Sequence, residues 1–154
     1  MANRPKIVLV HPEIPGNTGT IGRTCVALDM ELVLIKPYGF DLSDKSVRRA
    51  GLDYWKYVDL SEFSDWAAFS ADRSPDPEKT FFFEEFGRRS IYDVRFPENA
   101  YLVFGRETKG LPETLVSSAG KQLIHLPMRS EKIRSLNLAN AVTAVAYQAL
   151  RDAF

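Results

Sequence analysis

The sequence predicts an α/β fold: a mostly parallel sheet with helices on both faces. Two observations carry this. Short apolar runs of strand length alternate with stretches whose apolar residues recur at helical spacing, the pattern of repeated strand–helix units. The strand candidates are also apolar at nearly every position rather than at every second one, as strands covered on both faces must be.

The elements follow in order. Lys6-Ile-Val-Leu-Val10 is a β-branched strand, and Pro12-Glu-Ile-Pro-Gly16 a turn. A helix opens near Asn17-Thr18 and places Ile21, Cys25 and Leu28 on one stripe. Leu32-Val-Leu-Ile35 is a second strand, closed by Lys36-Pro37. A short helix is expected from Ser43 to Ala50, and another from Ser61 carrying Phe63, Trp66 and Ala67 on one side. The stretch from Ala71 to Lys79, with two prolines and several charges, is expected as a surface loop. Thr80-Phe-Phe-Phe83, Ala100-Tyr-Leu-Val-Phe104 and Gln122-Leu-Ile-His-Leu126 are further strands. The last helix starts at Ser135 or Asn137, both good caps, and runs to about Ala153 with Leu138, Val142, Val145 and Ala149 on one stripe.

The chain has 154 residues, 45% of them hydrophobic and 26% charged, the balance of a soluble domain large enough to bury a core. One domain over residues 1–154 is expected. No apolar run has the length of a membrane span, and Met1–Lys6 leads into a strand without a separate leader segment, so no membrane partner is expected. Cys25, the one cysteine, excludes an internal disulfide and suits a reducing cytoplasm. With two distant histidines, His11 and His125, it makes no recognisable metal site. Net charge is zero, so composition gives no sign of nucleic-acid binding unless positive residues segregate onto one face. Lys45-Arg48-Arg49 and Arg129-Lys132-Arg134 are candidates for that; Arg88-Arg89 reads as solvated surface charge.

Three segments at predicted strand ends stand out, where open α/β sheets place their ligands. In His11–Arg23, Gly16, Gly19 and Gly22 recur every three residues, which is neither the dinucleotide fingerprint nor a phosphate-binding P-loop, and no acidic residue ends the following strand to hold a ribose. Arg23 is either a surface arginine with its stem on the sheet or a guanidinium near a phosphate-favouring helix N-terminal region. Spacing favours neither. In Phe104–Pro112, Gly105 lets a planar ligand approach the backbone and Glu107 offers an acceptor. Leu126–Asn140 places a proline, a methionine and several hydroxyl and amide side chains at a third strand end. Cys25 reads as packing and His125 as a satisfied core histidine. No nucleophile beside a base and no carboxylate pair for acid–base work is apparent.

Together these segments, with Lys45-Ser-Val-Arg-Arg-Ala-Gly-Leu-Asp-Tyr-Trp55, resemble the SPOUT (TrmH-like) class of RNA methyltransferases. Within it they are most similar to the small tRNA wobble-nucleotide 2′-O-methyltransferases, over nearly the whole chain. The resemblance implies a C-terminal deep trefoil knot, and a homodimer with an active site completed across its interface. It also implies S-adenosylmethionine as cofactor and tRNA as partner, with transfer to the ribose 2′-hydroxyl of a wobble cytidine or modified uridine. Carried over by position, Phe83, Gly105, Leu126, Met128, Ser135 and Leu136 are cofactor contacts. Arg23, Glu107 and Asn137 are catalytic candidates; Asn17, Lys45, Arg48 and Arg49 are RNA contacts. Tyr147 is either an interface residue or plain packing. One departure is Ala139, where relatives often carry serine. The rival readings are the same chemistry at another tRNA or ribosomal RNA site, a non-catalytic knotted RNA-binding or assembly factor, and a nucleotide-binding enzyme with a different cofactor.

Overall fold

The computed structural model describes residues 4–42 and 54–154. Seven strands form one sheet: β1 (Lys6–Val10), β2 (Leu32–Ile35), β3 (Leu60–Phe63), β4 (Thr80–Phe83), β5 (Arg89–Ser90), β6 (Tyr101–Phe104) and β7 (Leu123–His125). Their order is β3-β2-β1-β6-β4-β7-β5, and every strand pair in it is parallel. The helices among the described residues are α1 (Pro15–Leu28), α2 (Trp66–Arg73), α3 (Glu113–Ala119) and α4 (Leu138–Ala149).

Strand side chains alternate between faces, and each face buries its own core. Ile7, Leu9, Leu34, Leu102 and Phe104 pack with Ile21 and Cys25 of α1 and Val142 and Val145 of α4. Val8, Val10, Val33 and Val103 pack on the other face with Phe69 of α2 and Leu115 of α3. The expected architecture, helices on both faces of a parallel sheet, is therefore the one observed. On the first face α1 and α4 lie together, joined by a 2.8 Å hydroxyl–hydroxyl bond between Thr24 and Thr143. Cys25 is fully buried, and burial pushes its thiol up to about 12, so it is packing, as read.

Several local expectations are corrected. Ser61 does not open a helix. Leu60–Phe63 is edge strand β3, paired with Leu32–Ile35, and α2 begins at Trp66 because Asp65 Oδ1 accepts the Ala68 N–H at 2.8 Å. Sheet pairing, a tertiary choice, overrides the helical spacing of Phe63 and Trp66. The expected loop over 71–79 shrinks, since α2 runs on to Arg73 and Pro77–Lys79 makes a 3₁₀ turn. Arg89 is no solvated charge. It sits in the two-residue strand β5, its Nε donating to the Lys121 carbonyl at 2.7 Å and a terminal nitrogen to Gln122 Oε1 at 2.9 Å. The last helix ends at Ala149, short of the expected Ala153, and Asn137 rather than Ser135 caps it, through the Asn140 N–H at 3.2 Å. Tyr147 is 53% exposed, which removes the packing reading within one chain. The helix expected over 43–50 lies outside the described residues.

Candidate active site

Because β4, β6 and β7 are parallel neighbours, their carboxyl ends leave the sheet along one edge. Phe83 pairs with Phe104 and with Ile124, so Glu84, Gly105 and His125–Leu126 emerge side by side. The rings of Phe83 and Phe104 stack with centroids 4.8 Å apart and planes 10° from parallel. Above this edge opens a cavity of about 500 Å³, within the size range of small-molecule sites.

All six residues expected to contact a cofactor line it: Phe83, Gly105, Leu126, Met128, Ser135 and Leu136. They come from three separated segments, so their convergence is a tertiary fact. Asn17, Glu107 and Asn137 line it as well.

Glu107 holds these loops together. Its carboxylate accepts the N–H groups of Glu13 and Ile14, both at 2.9 Å, and Asn17 Nδ2 at 3.2 Å. It thereby supplies a negative charge at the N-terminus of α1, which has no acidic residue in its first turn and no side-chain cap. Glu13 returns the contact. Its Oε1 accepts the N–H of Thr108 at 2.9 Å and the hydroxyl at 2.7 Å, and these two donors hold the Glu13 carboxyl below its usual range. Asn137 Nδ2 donates to Asn17 Oδ1 at 3.2 Å, closing a chain from α4 through α1 to the loop after β6. Glu107 and Asn137 thus brace the cavity.

Arg23 does not line the cavity. It is exposed, with its guanidinium 5.2 Å from the centroid of the Tyr54 ring. The expectation that Glu107 and Asn137 arrange loops around it does not hold within one chain: they engage Asn17, six residues earlier, which is about 9 Å back along the helix axis. Lys45, Arg48 and Arg49 lie outside the described residues. His125 is satisfied, as read, its Nδ1 lying 2.8 Å from the Gly87 carbonyl. Among the described residues no group of three or more His, Cys, Asp or Glu side chains is placed to hold a metal, and no helix is long and apolar enough to cross a membrane.

The SpoU rRNA Methylase family matches residues 4–147. This chain belongs to that family. A Burkholderia cenocepacia protein named tRNA (cytidine(34)-2′-O)-methyltransferase is 45% identical over 148 residues, spanning 96% of this chain and 94% of that one. A Listeria innocua protein, named a putative enzyme of the same kind, is 43% identical over 95% of this chain and 86% of its own. A solved structure described as giving insight into the 2-OH methylation of C/U34 on tRNA superposes with a TM-score of 0.91 at 42% identity, covering 99% of this chain and 98% of that one. The SpoU methyltransferase AviRb of Streptomyces viridochromogenes, solved with AdoMet, superposes with a TM-score of 0.83 at 25% identity, over 99% of this chain and 62% of its own.

Two features of this SpoU-family site were not foreseen. Glu84 and Glu85 line the cavity together, although no carboxylate pair stood out in the sequence. Burial holds the Glu84 carboxyl above its ordinary range, only partly offset by the Leu111 N–H, with Glu85 adding to the rise. The sequence signal for Glu84 is an acidic residue directly after a strand, and that strand is β4 rather than β2. The second feature is the crowding at Gly105. A Cβ there would lie 2.0 Å from the Gly110 carbonyl carbon and 2.1 Å from Leu111 N, and neither backbone atom can give way cheaply. Gly105→Ala is therefore expected to displace the 105–111 loop and weaken cofactor binding at least about tenfold, a loss of about 1.4 kcal/mol. Calorimetric titration beside a thermal melt checks it, and wild-type affinity would show the loop to be dispensable.

Proposed function

We propose that this chain transfers a methyl group from S-adenosylmethionine to the ribose 2′-hydroxyl of the wobble cytidine or modified uridine of tRNA. In this reading it acts as one domain over residues 1–154, in the cytoplasm, as a homodimer whose C-terminal part forms a trefoil knot. The observation that carries it is the convergence of the loops after β4, β6 and β7 on one cavity, in a chain 45% identical to an enzyme named for that reaction.

The cavity fits the cofactor's chemistry. Leu126, Met128 and Leu136 offer an apolar wall, and Arg106, Thr108 and Lys109 a polar rim. That suits a molecule with a planar base at one end and a charged amino-acid tail at the other. When bound, S-adenosylmethionine supplies a methyl group on a sulfonium that is already a good leaving group.

The protein's own contribution is alignment and help with the departing proton. Backbone groups around Gly105 and Leu126 hold the base end. Glu107 and Asn137 keep the loops at their spacing through Asn17, and Asn17 stands at the cavity edge where a ribose or phosphate would enter. Arg23 orients the ribose and stabilises charge. A guanidinium keeps its proton far above neutral pH and is a poor base there, so this role ranks ahead of proton abstraction. Since Arg23 stands outside the cavity of its own chain, it serves the cavity of the partner copy. Lys45, Arg48 and Arg49 contact RNA phosphates, which makes binding fall with rising salt.

The test is methyl transfer to tRNA lacking the modification, with mass mapping of the labelled nucleoside. Label at the wobble 2′-oxygen is expected. Label at another tRNA position or on ribosomal RNA would keep the chemistry and move the substrate. No transfer to any RNA, with the cofactor bound, would leave a non-catalytic RNA-binding factor.

A further inference from the structure

Glu84 lines the cavity and is bonded to two of its segments, the strand that leads to Leu126 and the end of the loop that carries Arg106, Thr108 and Lys109. It is the first residue after β4, its N–H donating to the Ile124 carbonyl at 3.1 Å. Its half-buried side chain is oriented from one side, Oε2 accepting the Leu111 N–H at 2.6 Å. Gly110, with φ of 68°, lies against the carboxylate so closely that a Cβ there would fall 2.4 Å from Oε2. Among the described residues no lysine or arginine forms an ion pair with Glu84. The group is thus an acceptor held from one side, with lone pairs to spare and, among the described residues, no ion-paired cation.

A nucleoside ligand with its base on the apolar wall and its carboxylate tail drawn to Arg106 and Lys109 carries its ribose between the two, which is where Glu84 stands. A ribose cis-diol presents two O–H donors that one carboxylate can accept together, and a charged acceptor makes such bonds strong. An acidic residue at a strand end holds the ribose of dinucleotides in the same way.

We propose that Glu84 accepts hydrogen bonds from the ribose hydroxyls of the methyl donor and is a binding residue of this site. The proposal rests on the cofactor reading above.

The test is calorimetric titration of the full-length wild type, Glu84→Gln and Glu84→Ala. The ligands are S-adenosylmethionine, S-adenosylhomocysteine, and the 2′-deoxy and 3′-deoxy analogues of the latter. Glu84→Gln retains a carbonyl oxygen for the Leu111 N–H, so it separates a ligand effect from a loop effect. The wild type is expected to lose at least about tenfold in affinity when a hydroxyl is removed. That penalty should shrink to about threefold in Glu84→Gln and nearly vanish in Glu84→Ala. An unchanged penalty in both variants would overturn the assignment. So would a selective loss of S-adenosylmethionine over S-adenosylhomocysteine with the penalty intact, since that would turn the carboxylate toward a cation. Wild type binding neither parent ligand would instead bring down the cofactor reading itself.

Discussion

Glu107→Ala is expected to lower the melting temperature by about 5–10 °C and to weaken S-adenosylmethionine binding about tenfold or more. The substitution removes the acceptor for three donors, the N–H groups of Glu13 and Ile14 and the amide of Asn17. Hydrogen bonds to a charged group contribute about 1.5–3 kcal/mol each, and three that share one acceptor do not add, so a net loss of about 2–3 kcal/mol follows. A domain of this size loses about 2–4 °C per kcal/mol. The N-terminus of α1 would also lose its negative partner, and among the described residues the Glu13–Thr108 tie would be the one hydrogen-bonded link left between the loop after β6 and the turn before α1. Glu107→Gln should fall between, because its amide turns a donor toward a backbone donor. Paired calorimetric melts and titrations check both variants. Wild-type values for Glu107→Ala would mean that the contacts to Glu13, Ile14 and Asn17 hold nothing together.

Arg23→Ala should cut methyl transfer at least about a hundredfold, the scale of losing one electrostatic donor in an active site, while leaving cofactor affinity nearly unchanged. The second half follows from placement: Arg23 is exposed beside Tyr54 and does not line the cavity. Arg23→Lys keeps the charge but loses the planar fork, so partial rescue would point to charge and none to bidentate orientation. Whether Arg23 serves its own chain or its partner can be read by mixing. In a mixed dimer of Arg23→Ala with Gly105→Ala, the first chain has an intact cavity and the second an intact arginine. Activity regained on mixing is expected if the arginine crosses the interface. No recovery, with dimers confirmed by mass, would return Arg23 to its own cavity. Calorimetry showing lost cofactor binding in Arg23→Ala would make it structural.

Strands were legible because they are nearly uniform in hydrophobicity: Lys6–Val10, Leu32–Ile35 and Thr80–Phe83 are each observed with the bounds expected. Leu60–Phe63 was not, since its half-exposed Leu-Ser-Glu-Phe pattern becomes a strand only by pairing with β2. The two-residue β5 is defined by its partner alone. At the site, Glu107 was recognisable beside two glycines in a tight strand–helix connection. Its actual donors are more than 89 residues away along the chain, and no local pattern specifies them. Glu84 was overlooked for a related reason. An acid after a strand is common on protein surfaces, and only the packing of Gly110 and Leu111 against it makes it part of a cavity wall.

What the sequence determined by itself is whatever depends on neighbours a few residues apart: which runs extend, that a capping side chain, Ser135 or Asn137, opens α4, and which residue types sit at strand ends. What the tertiary structure alone decided is which ends meet. The parallel order β6-β4-β7 brings Phe83, Phe104 and Ile124 abreast, and that order gathers Gly105, Leu126 and Ser135 around one cavity while leaving Arg23 outside it. Strand order is set by burying two cores at once, a sum over contacts between distant segments, and so it lies beyond what any short stretch of chain can specify.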